Sequence, residues 1–195
     1  MRNKKKTILA GVLFLLLTIC VGATYSAFSD KGKILGSSFS VGSADIKLLE
    51  DITLGTIPEN LKDEIDGPVF GNISSNWKTE YLIKVFNNSP GQVHLTSNSN
   101  YETANDPDEL RQLIYVEPLE WNDTNGNGLL EEGETGSSFG RKTIVKWKTE
   151  GFNLGSINSG EIKSIILKFS TDIVPDSKQG TSAVFDFEFG SIGAE

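Results

Sequence analysis

Ala183-Val184-Phe185-Asp186-Phe187-Glu188-Phe189 decides how the rest of the chain is read. Ala183, Phe185, Phe187 and Phe189 fall on one phase of a two-residue period, and Asp186 and Glu188 on the other. That alternation is the mark of a strand with one face in a core and one in water. Burying one phenylalanine stabilises a fold by about 1.5–3 kcal/mol. Three on one face therefore predict a strand at the centre of a sheet, whose loss unfolds the domain.

The same period recurs upstream. Ile165, Leu167 and Phe169 share a face within Glu161 to Ser170, and Thr143 to Lys148 reads as a further extended segment. In the first half, Trp77, Thr79, Tyr81, Ile83 and Val85 alternate with Lys78, Glu80 and Lys84. Asn87-Asn88-Ser89-Pro90-Gly91 is a dense turn signal before Gln92 to Thr96, so the two flanks read as a β-hairpin. Asp106-Pro107-Asp108-Glu109 reads as the start of one short helix, with Leu110 and Leu113 facing inward. Asp51 to Asn76 has no helical period and reads as short strands and loops. Between Phe28 and Leu49 the apolar phase switches at Gly42, which suggests a bulge. Short strands separated by Gly, Asn and Pro turns predict an all-β protein, an antiparallel two-sheet sandwich.

The first residues have a different character. Arg2, Lys4, Lys5 and Lys6 precede an apolar run from Ile8 to Val21, interrupted by Gly11 and Thr18. The run is short for a membrane-spanning helix and small residues follow it, so a removable secretory leader is the simpler reading than an uncleaved anchor. Cys20 follows Ile19, where a lipoprotein site wants a small residue. Only the leader would touch a membrane, before it is cut. Residues 28–195 then form one secreted domain without a thiol, because the single cysteine leaves with the leader. Four of the 18 basic residues lie in the leader, leaving 14 against 26 acids, a net charge of −12. Such a surface repels nucleic acid.

The most specific local motif is Asp123-Thr124-Asn125-Gly126-Asn127-Gly128-Leu129-Leu130-Glu131-Glu132-Gly133-Glu134. It matches the calcium-loop pattern in full. Asp123, Asn125, Asn127 and Glu134 supply side-chain oxygens, Leu129 a backbone carbonyl, and Glu131 a contact through water, while Gly128 permits the turn. The flanks look like strand or loop, so the expected role of calcium is a structural clamp. The competing reading is a solvated acidic loop that needs no ion. No equipment for catalysis accompanies it. His94 is the only histidine and lies on a polar strand face, and H-E-x-x-H is absent. A glycan-binding sandwich would need exposed tryptophans, and at least two of Trp77, Trp121 and Trp147 are expected in the core.

Several segments together resemble the TasA/camelysin family of secreted matrix and cell-surface proteins. They are Thr24-Tyr25-Ser26-Ala27 with Phe28-Ser29-Asp30, Ser38-Phe39, Gly42-Ser43-Ala44-Asp45-Ile46, Tyr81 to Asn88, and Gln179-Gly180-Thr181-Ser182 leading to Phe185-Asp186-Phe187. The resemblance implies a jelly-roll version of the sandwich and cleavage between Ala27 and Phe28 by a dedicated signal peptidase. It also implies self-association into fibres by donor-strand exchange, in which residues 28–43 of one subunit fill an open edge in the next. Phe28, Phe39 and Val41 would be the anchors. An ordinary first strand of the same domain is the alternative for that segment. Some camelysin-like members are described as metallopeptidases, which makes a surface metallopeptidase the second functional reading. The calcium loop is not part of that family pattern.

Overall fold

The computed structural model describes residues 44–70, 73–178 and 180–193. All fall within one compact unit, Val41–Glu195. The leader, the cleavage site at Ala27 and Phe28, the segment carrying Phe39 and Val41, and the expected bulge at Gly42 lie outside the described residues.

Among the described residues ten strands form two antiparallel sheets. The larger contains β1 (Ile46–Leu49), β2 (Leu61–Lys62), β3 (Lys78–Asn87), β5 (Ile114–Trp121), β6 (Thr135–Ser138), β7 (Lys142–Thr143) and β9 (Ile162–Thr171). Its order is β2-β1-β3-β9-β5-β6, with β7 also on β5. The smaller contains β4 (Val93–Asn100), β8 (Phe152–Ile157) and β10 (Asp186–Gly193), in the order β10-β4-β8. The chain is thus an all-β two-sheet sandwich.

The expected hairpin between β3 and β4 does not form. β3 pairs with β1 and β9, and β4 with β10 and β8. The 88–92 turn instead carries the chain from one sheet to the other, and residues 158–161 carry β8 into β9 beside it. A two-stranded ribbon, β3 with β9 continuing as β4 with β8, therefore wraps across both sheets in the jelly-roll manner. Asn87, fully buried, holds this corner. Its Nδ2 donates to the carbonyls of Gly91 (2.8 Å) and Ile157 (3.0 Å), and its Oδ1 accepts from the Ser89 N–H at 2.9 Å. The turn residues that suggest a hairpin serve here to satisfy backbone groups at a change of sheet.

Two further expectations are corrected. The α-helix is not at 106–113 but at α1 (Ile144–Glu150), within the segment read as extended. Thr143 Oγ1 caps it by accepting from the Lys146 N–H at 3.3 Å, and Ile144 and Trp147, three residues apart, are buried on one face. At 106–113 only a 3-10 turn forms, Leu110–Gln112. Glu109 is left-handed (φ 57°), which interrupts a helix between Pro107 and Leu110. Leu110 is nevertheless buried and Leu113 packs on the core. The second correction concerns 183–189. Its phenylalanines do face the other sheet, but β10 is an edge strand paired only with β4 among the described residues. Alternation reports which face is apolar, not how many neighbours a strand has.

The core between the sheets contains Ile83, Val85, Val93, Leu95, Val116, Trp147, Leu154, Ile165, Leu167 and Phe169. A second, smaller set of buried side chains, Leu49, Trp121 and Ile166, lies outside that core. Strand alternation places it on the opposite face of the large sheet. Trp121 and Trp147 are thus both buried, as expected.

The corner predicts a contrast between neighbouring asparagines. Asn87→Ala strips the buried Ile157 carbonyl and Ser89 N–H of their partner and should lower stability by about 2–3 kcal/mol. Asn88→Ala, at an exposed side chain, should cost about 0.5 kcal/mol or less. Urea unfolding of the two variants checks this.

Candidate metal centre

β5 and β6 are paired, Leu119 with Ser138 and Trp121 with Thr135, so residues 123–134 form the long tip of a β-hairpin. Helices do not flank it. At the neck, Asn122 donates its N–H to the Glu134 carbonyl at 2.8 Å. Gly128 has φ 72°, and a β-carbon there would meet Thr53 Cγ2 at 2.8 Å. Position six of the motif thus needs glycine twice over, for its left-handed backbone and for its approach to the 51–54 turn.

The six candidate ligand residues divide into three groups. Asp123 is the most constrained, with its side chain 1% exposed. Its Oδ2 accepts the Gly128 N–H (3.2 Å) and meets the Lys84 ammonium at 2.6 Å. Its Oδ1 is buried and has no hydrogen-bond partner. Asn125 and Asn127 each turn their Oδ1 to a backbone N–H two residues ahead, at 3.0 and 2.7 Å, which leaves a second lone pair on each oxygen. The Leu129 side chain is exposed, in keeping with a residue whose contribution would be its carbonyl.

Glu131 and Glu134 are engaged within the protein. The Glu131 carboxylate accepts from Asn125 Nδ2 (2.8 Å) and Asn127 Nδ2 (3.2 Å). Glu134 is buried, and its Oε2 accepts from the Trp121 indole (3.1 Å) and the Glu131 N–H (3.0 Å). No group of three or more His, Cys, Asp or Glu side chains placed to hold a metal occurs among the described residues. The oxygens that fit calcium are accordingly Asp123 Oδ1 and the amide oxygens of Asn125 and Asn127, hard donors of the kind the ion prefers. An orphaned buried carboxylate oxygen at the first position is the observation in favour of that fit.

Lys84 is the residue that the sequence pattern does not single out. It sits on the polar phase of β3, yet its side chain is only 8% exposed. The signal was present in Leu82 and Phe86, which share that phase and make it a second apolar face. Lys84 Nζ also donates to the Ile52 carbonyl at 2.8 Å and lies 5.1 Å from the Trp121 ring. Burial works to raise the Asp123 pKa, but the Lys84 ammonium and the Gly128 amide outweigh it and hold the carboxyl below its ordinary value of 3.8.

A second feature lies at the side of the sandwich where β1 and β10 run. A groove of about 710 Å³ runs between β1 and β10, floored by Ile46, Leu48 and the half-buried Phe185, Phe187 and Phe189. Asp63, Glu64, Asp186 and Glu188 also line it, so the apolar floor is bordered by acids. His94 is exposed and exchanges a 2.9 Å hydrogen bond with the Ser156 hydroxyl. No protein-family model matches the chain, and no curated protein matches it either.

The Asp123–Lys84 pair makes acid sensitivity testable. A carboxyl with a depressed folded pKa stabilises the fold above its unfolded value, and the contribution is lost as pH falls through the folded value. Asp123→Asn should cost roughly 3–5 kcal/mol at neutral pH by leaving a buried ammonium uncompensated. Its melting midpoint should also fall less steeply than the wild type's between about pH 5 and pH 2. Thermal melts across that range measure both.

Proposed function

We propose that the chain is a secreted structural protein that assembles into fibres of an extracellular matrix or cell surface, with a calcium-stabilised loop at 123–134. A dedicated signal peptidase frees Phe28, and residues 28–43 of one copy complete the small sheet of the next. The observation that supports this reading is the edge of β10 that has no partner among the described residues, above an apolar groove. Among the described residues β10 is paired on one side only, and Phe187 and Phe189 within it and Phe185 just before it are half-buried, so it offers backbone donors and acceptors together with an apolar floor.

The chemistry of the segment suits that floor. Phe28, Phe39 and Val41 supply apolar anchors, and Lys31 and Lys33 lie between the first and the others. Their charge complements the acids beside the groove. A groove filled by its own chain yields monomers, whereas one filled by a neighbour yields head-to-tail addition that need not close. Calcium belongs to this reading as a clamp on the hairpin tip, remote in sequence from the joining segment. The second reading, a camelysin-like surface metallopeptidase, has no observation in its favour, since His94 is exposed and its ring contact is Ser156.

The test compares residues 28–195 with residues 44–195 by electron microscopy after purification. The longer chain should polymerise and the shorter remain monomeric. Equal polymerisation of both would show that residues 28–43 do not join the subunits.

A further inference from the structure

The loop's first residue carries two demands on one carboxylate. Asp123 Oδ2 is taken by the Gly128 N–H and by the Lys84 ammonium. Oδ1 has nothing, and it is the one buried side-chain oxygen or nitrogen without a partner among the described residues. A buried polar atom in that condition is unfavourable unless some further group meets it. The two oxygens are thus already divided, one for the protein's own cation and one left over.

Charge points to what meets the second oxygen. Asp123, Glu131, Glu132 and Glu134 carry four negative charges within this tip, those of Asp123 and Glu134 on buried side chains. Lys84 cancels one. Of the three left, a divalent cation offsets two, a monovalent ion one and a water molecule none. The surrounding donors are carboxylate, amide and carbonyl oxygens, the set that selects calcium over softer metals.

We infer that Lys84 is a resident cation of a calcium site: it holds Asp123 through Oδ2, keeps the loop folded when calcium is scarce, and weakens calcium binding at Oδ1. The inference rests on the calcium reading of the loop and adds the residue that sets its affinity. Lys84 acts as a tethered substitute for part of the ion's charge. Its bond to the Ile52 carbonyl ties the same network to the 51–54 turn, which follows β1. Because the ammonium and the ion share one carboxylate in a poorly solvated place, each lowers the other's hold on it.

Calorimetric titration of the purified full chain with calcium chloride, together with melts in calcium and in EDTA, tests this. Lys84→Gln keeps hydrogen-bonding capacity but removes the charge. It should bind calcium at least about tenfold more tightly than the wild type, melt lower in EDTA, and gain more from added calcium. Asp123→Asn should bind none. Lys84→Met, which keeps the volume of the stem and removes the charge, should tighten binding in the same direction and keeps the inference testable if Lys84→Gln does not fold. Binding by the wild type that neither Lys84→Gln nor Lys84→Met strengthens overturns the inference and leaves the calcium reading intact. Absence of binding heat in every protein removes both.

Discussion

Phe187 stands between two other rings. It stacks on Trp147 of α1 at 5.1 Å and on Phe169 of β9 at 5.2 Å. Phe169 continues to Phe70 at 5.1 Å, and Phe70 to Trp77 at 5.5 Å. Five aromatic side chains thus run from the helix through the small sheet and the large sheet to the loop before β3. Ring pairs of this kind contribute about 0.5–1.5 kcal/mol each beyond the area they bury. Phe187 belongs to an edge strand, so part of the seam that joins the two sheets is supplied by a strand whose outer backbone is unpaired among the described residues. Stability and an open edge are in this way properties of the same element.

The large sheet is used on both faces. Its inner face meets the small sheet through the main core, and its outer face buries Leu49, Ile166 and Trp121 together with a charged pair, Lys84 and Asp123. A buried ion pair is weak evidence for stability, because desolvating two charges offsets most of their attraction. What it supplies here is position. Lys84 reaches the Ile52 carbonyl and the Asp123 carboxylate at once, so the 51–54 turn and the tip of the β5–β6 hairpin are fastened to β3 by one side chain. The calcium-type loop is thereby anchored before any ion is considered.

Much of the sandwich is legible in the sequence where a strand has one apolar phase. Residues 183–189 have one, and the face they imply is the one observed; in 165–169 the phase of Ile165, Leu167 and Phe169 meets the main core as read, while Ile166 is buried on the other face. At 123–134 the turn is legible too: flanks read as strand or loop are the paired β5 and β6, and Gly128 takes the left-handed backbone that its place in the pattern calls for. The rest depends on contacts distant in sequence. Asn87 belongs to a turn signal compatible with either a hairpin or a change of sheet, and only the neighbouring 158–161 connection decides between them. Ile144 and Trp147 sit at helical spacing within seven residues, too few for periodicity to separate from a strand. Lys84 lies on a phase that looks polar because one lysine interrupts Leu82 and Phe86, and its partner is 39 positions away. No pattern local to β3 contains that partner.

If residues 28–43 of a neighbouring copy complete the small sheet, the backbone amides of β10 that face away from β4 must change their surroundings on assembly. Hydrogen exchange of β10, followed residue by residue in monomers and in polymers, measures this most directly. The account predicts that alternate amides within residues 186–193 exchange freely in the monomer and become protected in the polymer, with β4 little altered. Protection of every β10 amide already in the monomer, or polymers in which the same amides still exchange freely, would contradict it.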